Sequence, residues 1–166
     1  MTRIGKLPWL WLSALVVALD LLTKNIVLES LRFAERVTVI PGYFDWTHVY
    51  NTGAAFSFLA GESGWQRWFF AGIAVVVSLV LVVWLKRLKS HETLLAVGLA
   101  LVLGGALGNL YDRVVLGHVV DFILVHWQNT HYFPAFNLAD SAITVGAVLL
   151  ALDMFKSNKP EDKFHD

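Results

Sequence analysis

The sequence predicts an all-α polytopic membrane protein, with four transmembrane helices, a small extracytoplasmic β-rich element and a short interfacial helix. Three observations carry this prediction. Of the 166 residues, 57% are apolar and 16% charged, and the mean hydropathy is +0.60, a balance that excludes disorder and points to residence in lipid. Four long apolar runs divide the chain. Lys and Arg gather in alternate connecting segments, as expected when successive spans cross back and forth.

The first run, Leu7 to Leu28, opens with Pro8, which suits a first helical turn, and is interrupted by Asp20 and Lys24. The second, Trp68 to Leu85, and the third, Leu94 to Leu110, are uncharged and long enough to cross a hydrocarbon core. The third also holds Gly98, Gly104, Gly105 and Gly108, and the Gly104–Gly108 spacing is a GxxxG that permits close backbone approach, so an interior helix is expected. The fourth, Leu138 to Phe155, has Asp140 near its start and Asp153 near its end. A single domain over residues 1–166 is expected, because spans bury their polar faces by packing together. Residues 157–166 read as a solvated tail.

The outer segments, 29–67 and 111–137, are more than tethers. Val37–Ile40 and Phe44–Tyr50 flank a Pro41-Gly42 turn and read as a short hairpin, while Gly61–Phe70 mixes Trp65, Trp68, Phe69 and Phe70 with Glu62, Gln66 and Arg67 as an interfacial helix would. Trp127, Tyr132 and Phe133 belong at headgroup level. Arg3 and Lys6, then Lys86, Arg87 and Lys89, then Lys156, Lys159 and Lys163 fall on one side, so both termini are expected in the cytoplasm. A basic start before an apolar run also resembles a secretory signal peptide, but no small-residue cleavage site follows, so the run is expected to stay as a span.

Thirteen Lys and Arg against thirteen Asp and Glu give a formal charge of zero, so nucleic acid is not an expected partner. The absence of cysteine excludes disulfides, thiol catalysis and thiolate metal sites. His118, His126 and His131 match no zinc-ligand spacing, and neither metal nor cofactor is expected.

This topology gathers the polar residues at one end: Asp20 and Lys24 on the first span, Asn109 and Arg113 at the outer end of the third, Asn137 and Asp140 at the mouth of the fourth, with Asn51 and Asp121 in the loops. Each ionisable group inside a span costs at least about 2.5–3.5 kcal/mol, so a one-sided cluster needs an explanation. Asp20 and Lys24 stand i, i+4 and form either a self-neutralising structural pair or part of a site. Asn137 and Asp140 fit a helix-start signal, which leaves Asp140 open to a capping role. Asn109 and Arg113 could satisfy carbonyls and headgroup phosphates. Asp121, on a candidate strand among apolar neighbours, requires a partner. Two carboxyls in one partly dehydrated pocket share a proton, which supplies a base and an acid together and permits aspartyl peptide hydrolysis, with Asp140 the better candidate for the ionised member. The rival readings are a small proton-coupled membrane transporter or channel, whose charges should continue across the bilayer, and a noncatalytic assembly factor.

Asn51-Thr52-Gly53-Ala54-Ala55-Phe56-Ser57, the run Gly104 to Arg113 continuing through Gly117-His118-Val119-Val120-Asp121-Phe122, and Phe136-Asn137-Leu138-Ala139-Asp140 resemble the bacterial lipoprotein signal peptidases, or signal peptidase II family. The Asp20-x-x-x-Lys24 pair resembles that family's first motif. The resemblance implies an intramembrane aspartic endopeptidase that cleaves the signal peptide from diacylglyceryl-modified prolipoproteins immediately before the lipidated cysteine. It implies Asp121 and Asp140 as catalytic, Asn51, Gly53, Asn109, Arg113 and Asn137 in substrate binding or site architecture, and Asp20 with Lys24 as a structural pair. The expected partners are the membrane-embedded prolipoprotein and bilayer lipid. The expected setting is the bacterial plasma membrane, as a multi-pass monomer with its site near the extracytoplasmic face.

Overall fold

The computed structural model describes residues 5–53 and 64–157. A single 3-10 turn, Leu7–Trp9, with Pro8 in its first positions, leads into α1, Leu10–Ser30. The remaining elements are β1 (Arg36–Ile40), β2 (Phe44–Asn51), α2 (Trp65–Arg87), α3 (Thr93–Val115), β3 (Val119–Trp127), β4 (His131–Tyr132) and α4 (Leu138–Ser157). The described residues include four helices long and apolar enough to cross a membrane. Leu79, Val80 and Phe155 are among many large apolar side chains left exposed, as expected where lipid is the solvent.

The helix α3 is the centre of the bundle, packed against α1, α2 and α4. Its small residues explain why. A Cβ at Gly104 would collide with Val16 and the Ser13 carbonyl of α1, and one at Gly108 would meet the Asp20 carboxyl, so the GxxxG face is the α1 contact. Ser13 Oγ seals that contact by donating to the Ala100 carbonyl at 2.7 Å. The buried residues of α1, Ser13, Val16, Asp20, Lys24 and Val27, recur at three- and four-residue steps and form one face. Asp20 and Lys24 therefore point into the bundle and not into lipid.

The strands form one antiparallel order, β1-β2-β3-β4. Gly42, at φ 83°, supplies the left-handed residue of the turn between β1 and β2. Phe136, two residues before α4, pairs back onto β3: Ile123 N–H donates to the Phe136 carbonyl at 2.8 Å, and Phe136 N–H to the Ile123 carbonyl at 3.1 Å. This pairing fixes the start of α4 beside the strand that carries Asp121.

Several expected boundaries require correction. The third helix runs to Val115, past Leu110, so Asp112 and Arg113 are helical. The second starts at Trp65 and ends at Arg87, and the fourth continues to Ser157. The expected interfacial helix, Gly61–Phe70, lies partly outside the described residues. From Trp65 onward it is continuous with α2, which starts after Gly64 in the left-handed region and contains no proline to break it. Ala54 to Ser57 of the Asn51 motif also lie outside the described residues.

Candidate active site

The site lies where the C-terminal end of α3, the start of α4, β3 and the C-terminal half of α1 meet. Asn137 organises it. Its side-chain amide donates to Asp121 Oδ1 at 2.7 Å and reaches the Val120 carbonyl at 3.3 Å and Asn109 Oδ1 at 3.2 Å. Its side-chain oxygen accepts the Asp140 N–H at 2.9 Å, while its own N–H donates to Asp140 Oδ2 at 3.2 Å. The last two bonds are the reciprocal pattern of a capping box, with Asn137 as cap and Asp140 three residues on. Capping therefore holds Asp140 in place without consuming it: Asn109 Nδ2 donates to its other oxygen at 2.7 Å, and Asp140 is half-buried with a route to solvent.

Asp121 is in the opposite situation. It is 2% exposed, and burial, followed by the charge of Asp140, pushes its carboxyl up to about 7, against the hydrogen bonds from Asn51 and Asn137 and the charge of Lys24. Asn51 sits at the end of β2 and also accepts the Gly53 N–H at 2.9 Å, an Asx-type turn that aims its side chain at the site. Gly53, at φ 86°, lies under the Phe70 ring. Arg113 donates to the Asn109 carbonyl at 3.1 Å, lies 5.5 Å from the Phe70 ring centroid and interacts electrostatically with Asp140, Asp112 and Asp121.

Beneath this pair lies a second polar layer. Lys24 Nζ is 2.6 Å from Asp20 Oδ2, 2.9 Å from Asp112 Oδ2 and 3.0 Å from Asn109 Oδ1. Asp20 Oδ1 accepts the Ala139 N–H at 2.9 Å, one of the free amides of the first turn of α4. Asp112 accepts the Val120 N–H at 3.1 Å, next to Asp121. Every residue expected at the site is thus joined by a hydrogen bond, ion pair or ring contact. Asp112 was missed, yet it continues the four-residue step Gly104, Gly108, Asp112 on the buried face of α3, a signal lost when the helix is ended at Leu110.

The histidines are dispersed. His126 Nε2 lies 3.3 Å from Asp45 Oδ2, His118 stacks on Tyr50 at 3.8 Å, and His131 Nδ1 is 3.0 Å from Thr130 Oγ1. Burial pushes the His118 imidazole below its usual range.

A known family matches the chain over most of its length. The description Signal peptidase (SPase) II covers residues 12–156. The chain belongs to the signal peptidase II family. It is 73% identical over 158 residues to the lipoprotein signal peptidase of Ectopseudomonas mendocina, covering 95% of this chain and 94% of that relative. It is 72% identical over 164 residues to that of Pseudomonas putida, covering 99% and 96%. A solved chain described as a bacterial membrane enzyme, determined by the in meso method at 1.9 Å, superposes with a TM-score of 0.81 at 30% identity, covering 95% of this chain and 99% of that one. Membership in the signal peptidase II family makes the chain a peptidase and sets aside the transporter, channel and assembly-factor readings.

Proposed function

We propose that this signal peptidase II is one intramembrane peptidase unit in which Asp121 and Asp140 together hydrolyse the bond preceding a diacylglyceryl-modified cysteine in prolipoproteins. The observation that carries this reading is the double engagement of Asn137, which ties the buried Asp121 and the half-buried Asp140 into one hydrogen-bonded unit. At neutral pH the raised Asp121 carboxyl retains a proton for much of the time. Asp140, in the first turn of α4 and half-buried, is assigned the role of the base.

The chemistry follows from that division. The Asp140 carboxylate takes a proton from a water molecule as its oxygen attacks the scissile carbonyl, and the Asp121 hydroxyl donates to the developing oxyanion. Collapse of the tetrahedral intermediate breaks the C–N bond, and the proton held by Asp140 passes to the leaving amine. No metal or cofactor takes part in these steps. Asn109 and Asn137 keep the carboxyls in register, and Asn51, Gly53 and Arg113 are assigned to substrate positioning. Asp20 and Lys24 act as a structural pair.

The basic residues at the far end of the bundle support a cytoplasmic location for both termini, with the acids near the extracytoplasmic face of the bacterial plasma membrane. The aromatic residues expected as an interfacial helix, Trp65 to Phe70, would then sit at the outer headgroup layer. The enzyme acts as a monomer. The test is purified protein in detergent with lipidated and unlipidated precursor, product length being measured. Cleavage before the lipidated cysteine of the first substrate alone is expected, and equal cleavage of both would overturn the substrate assignment.

A further inference from the structure

We propose that the end of the bundle opposite the carboxylates carries a binding site for an anionic phospholipid, formed by the last turns of α2 and the turn into α3. Two adjoining clefts, of about 1000 Å³ and about 630 Å³, share Val83, Arg87, Leu88 and Lys89 there. Lys86 lines the first and Trp84 the second. This site is independent of the peptidase reading, since no residue in it touches the acids.

The charges in the cleft are uncommitted. Lys86, Arg87 and Lys89 are exposed, and among the described residues no hydrogen bond or ion pair engages their side-chain nitrogens. Their neighbours are spoken for: Lys6 Nζ donates to Thr93 Oγ1 at 3.0 Å, and Glu92 Oε2 accepts the Lys89 backbone N–H at 2.5 Å. The C-terminal end of α2 and the N-terminal end of α3 carry opposite partial charges of about half a unit each and largely cancel, so the three cations, opposed by the single Glu92 carboxylate that lines the second cleft, set the local field.

The apolar half of the site completes the match. Leu79, Val80, Val83 and Trp84 are 63%, 57%, 47% and 45% exposed, and their i, i+1, i+4, i+5 spacing places them on one stripe of α2 running from the cations into the span. From Arg87 back to Leu79 the stripe descends about 12 Å, most of the acyl depth of one leaflet. A phosphate with an acyl chain fits both halves. A zwitterionic headgroup would add a cation beside three others, free phosphate would leave the stripe unused, and a second copy of the chain would bring like charges together. Three basic side chains favour an anionic over a neutral headgroup by on the order of a hundredfold.

The test is native mass spectrometry of the full chain released from nanodiscs containing equal dioleoyl phosphatidylglycerol and dioleoyl phosphatidylcholine. Wild type is expected to retain one phosphatidylglycerol selectively. The triple variant Lys86→Gln, Arg87→Gln, Lys89→Gln should retain both lipids alike, and Val83→Trp should weaken retention by filling the cleft while leaving the charges intact. Prolipoprotein cleavage equal to wild type in both variants shows that they are folded. Equal retention of the two lipids by wild type would overturn the proposal, as would undiminished selectivity in the triple variant. Displacement of the lipid by millimolar inorganic phosphate, or a dimer that dissociates in the triple variant, would replace it with a free-anion site or a self-interface.

Discussion

Lys24 on α1 and Asp112 on α3 lie 2.9 Å apart, both almost fully buried, and Asp20 closes the arrangement at 2.6 Å from the same ammonium. One cation thus holds two acids inside the bundle. Lys24→Met removes the ammonium that pairs with both carboxyls and leaves Asp20 without its counter-charge, so a cost of about 3–5 kcal/mol is expected. Asp112→Asn should cost less, because Asp20 still pairs with Lys24 and the amide oxygen can still accept the Val120 N–H. Thermal unfolding in detergent reads both. Cleavage per folded molecule in Asp112→Asn should stay within about threefold of wild type, which a direct catalytic role for this layer would not allow.

Asp121→Asn and Asp140→Asn each remove one half of the proton exchange. Each is expected to lower cleavage of a diacylglyceryl-modified precursor by at least about a hundredfold, the lower bound for losing a positioned acid or base. Both variants should remain folded and inserted in the membrane. Full activity in either variant would remove the proposed chemistry.

The pH profile follows from which acid holds the proton. With Asp121 raised to about 7 and needed in its protonated form, kcat/KM should decline as pH rises through neutrality. Asn137 donates to the charged form of Asp121 and so holds its carboxyl down. Asn137→Ala should therefore move the alkaline limb to higher pH, besides lowering the rate. A shift toward lower pH would reverse the assignment of acid and base.

Much of this site was legible in the sequence because the strongest signals are local. Charge inside an apolar run marks Asp20 and Lys24, a helix-start pattern marks Asn137 and Asp140, and an acid among β-branched neighbours marks Asp121. The end of α3 was not legible. The apolar run stops at Leu110, and the helix continues past it as far as Val115 because Asp112 has buried partners on α1 and β3 that no local pattern contains. The role of Asn137 was half legible: its capping function follows from spacing, but its bond to Asp121 depends on the pairing of Phe136 with Ile123.

Hydrolysis by two carboxyls requires no bound cation. Treatment with EDTA followed by gel filtration is expected to leave turnover of the lipidated precursor unchanged. Inactivation reversed by added zinc would instead assign a catalytic metal, with His118, His126 and His131 as the first residues to test by substitution.

Burial of Asp121 also sets a pH-dependent stability. Its carboxyl has an ordinary value of 3.8 and is raised to about 7 in the folded chain. Below 3.8 both folded and unfolded chains hold the proton, so the group costs nothing. Between 3.8 and about 7 the folded chain keeps a proton that the unfolded chain has released, and stability falls as pH rises. Above that window the full penalty of a desolvated carboxylate facing Asp140 is present, on the order of a few kcal/mol. Asp121→Asn removes the charge while keeping a polar group for Asn137 and Asn51. The variant should therefore unfold at a higher temperature than wild type at pH 8, with the difference shrinking toward zero at pH 4. Differential scanning fluorimetry across that range decides it, since groups common to both chains cancel. A variant no more stable than wild type at pH 8 would mean that Asp121 is not held against its own ionisation, and the proton available for catalysis would have to come from elsewhere.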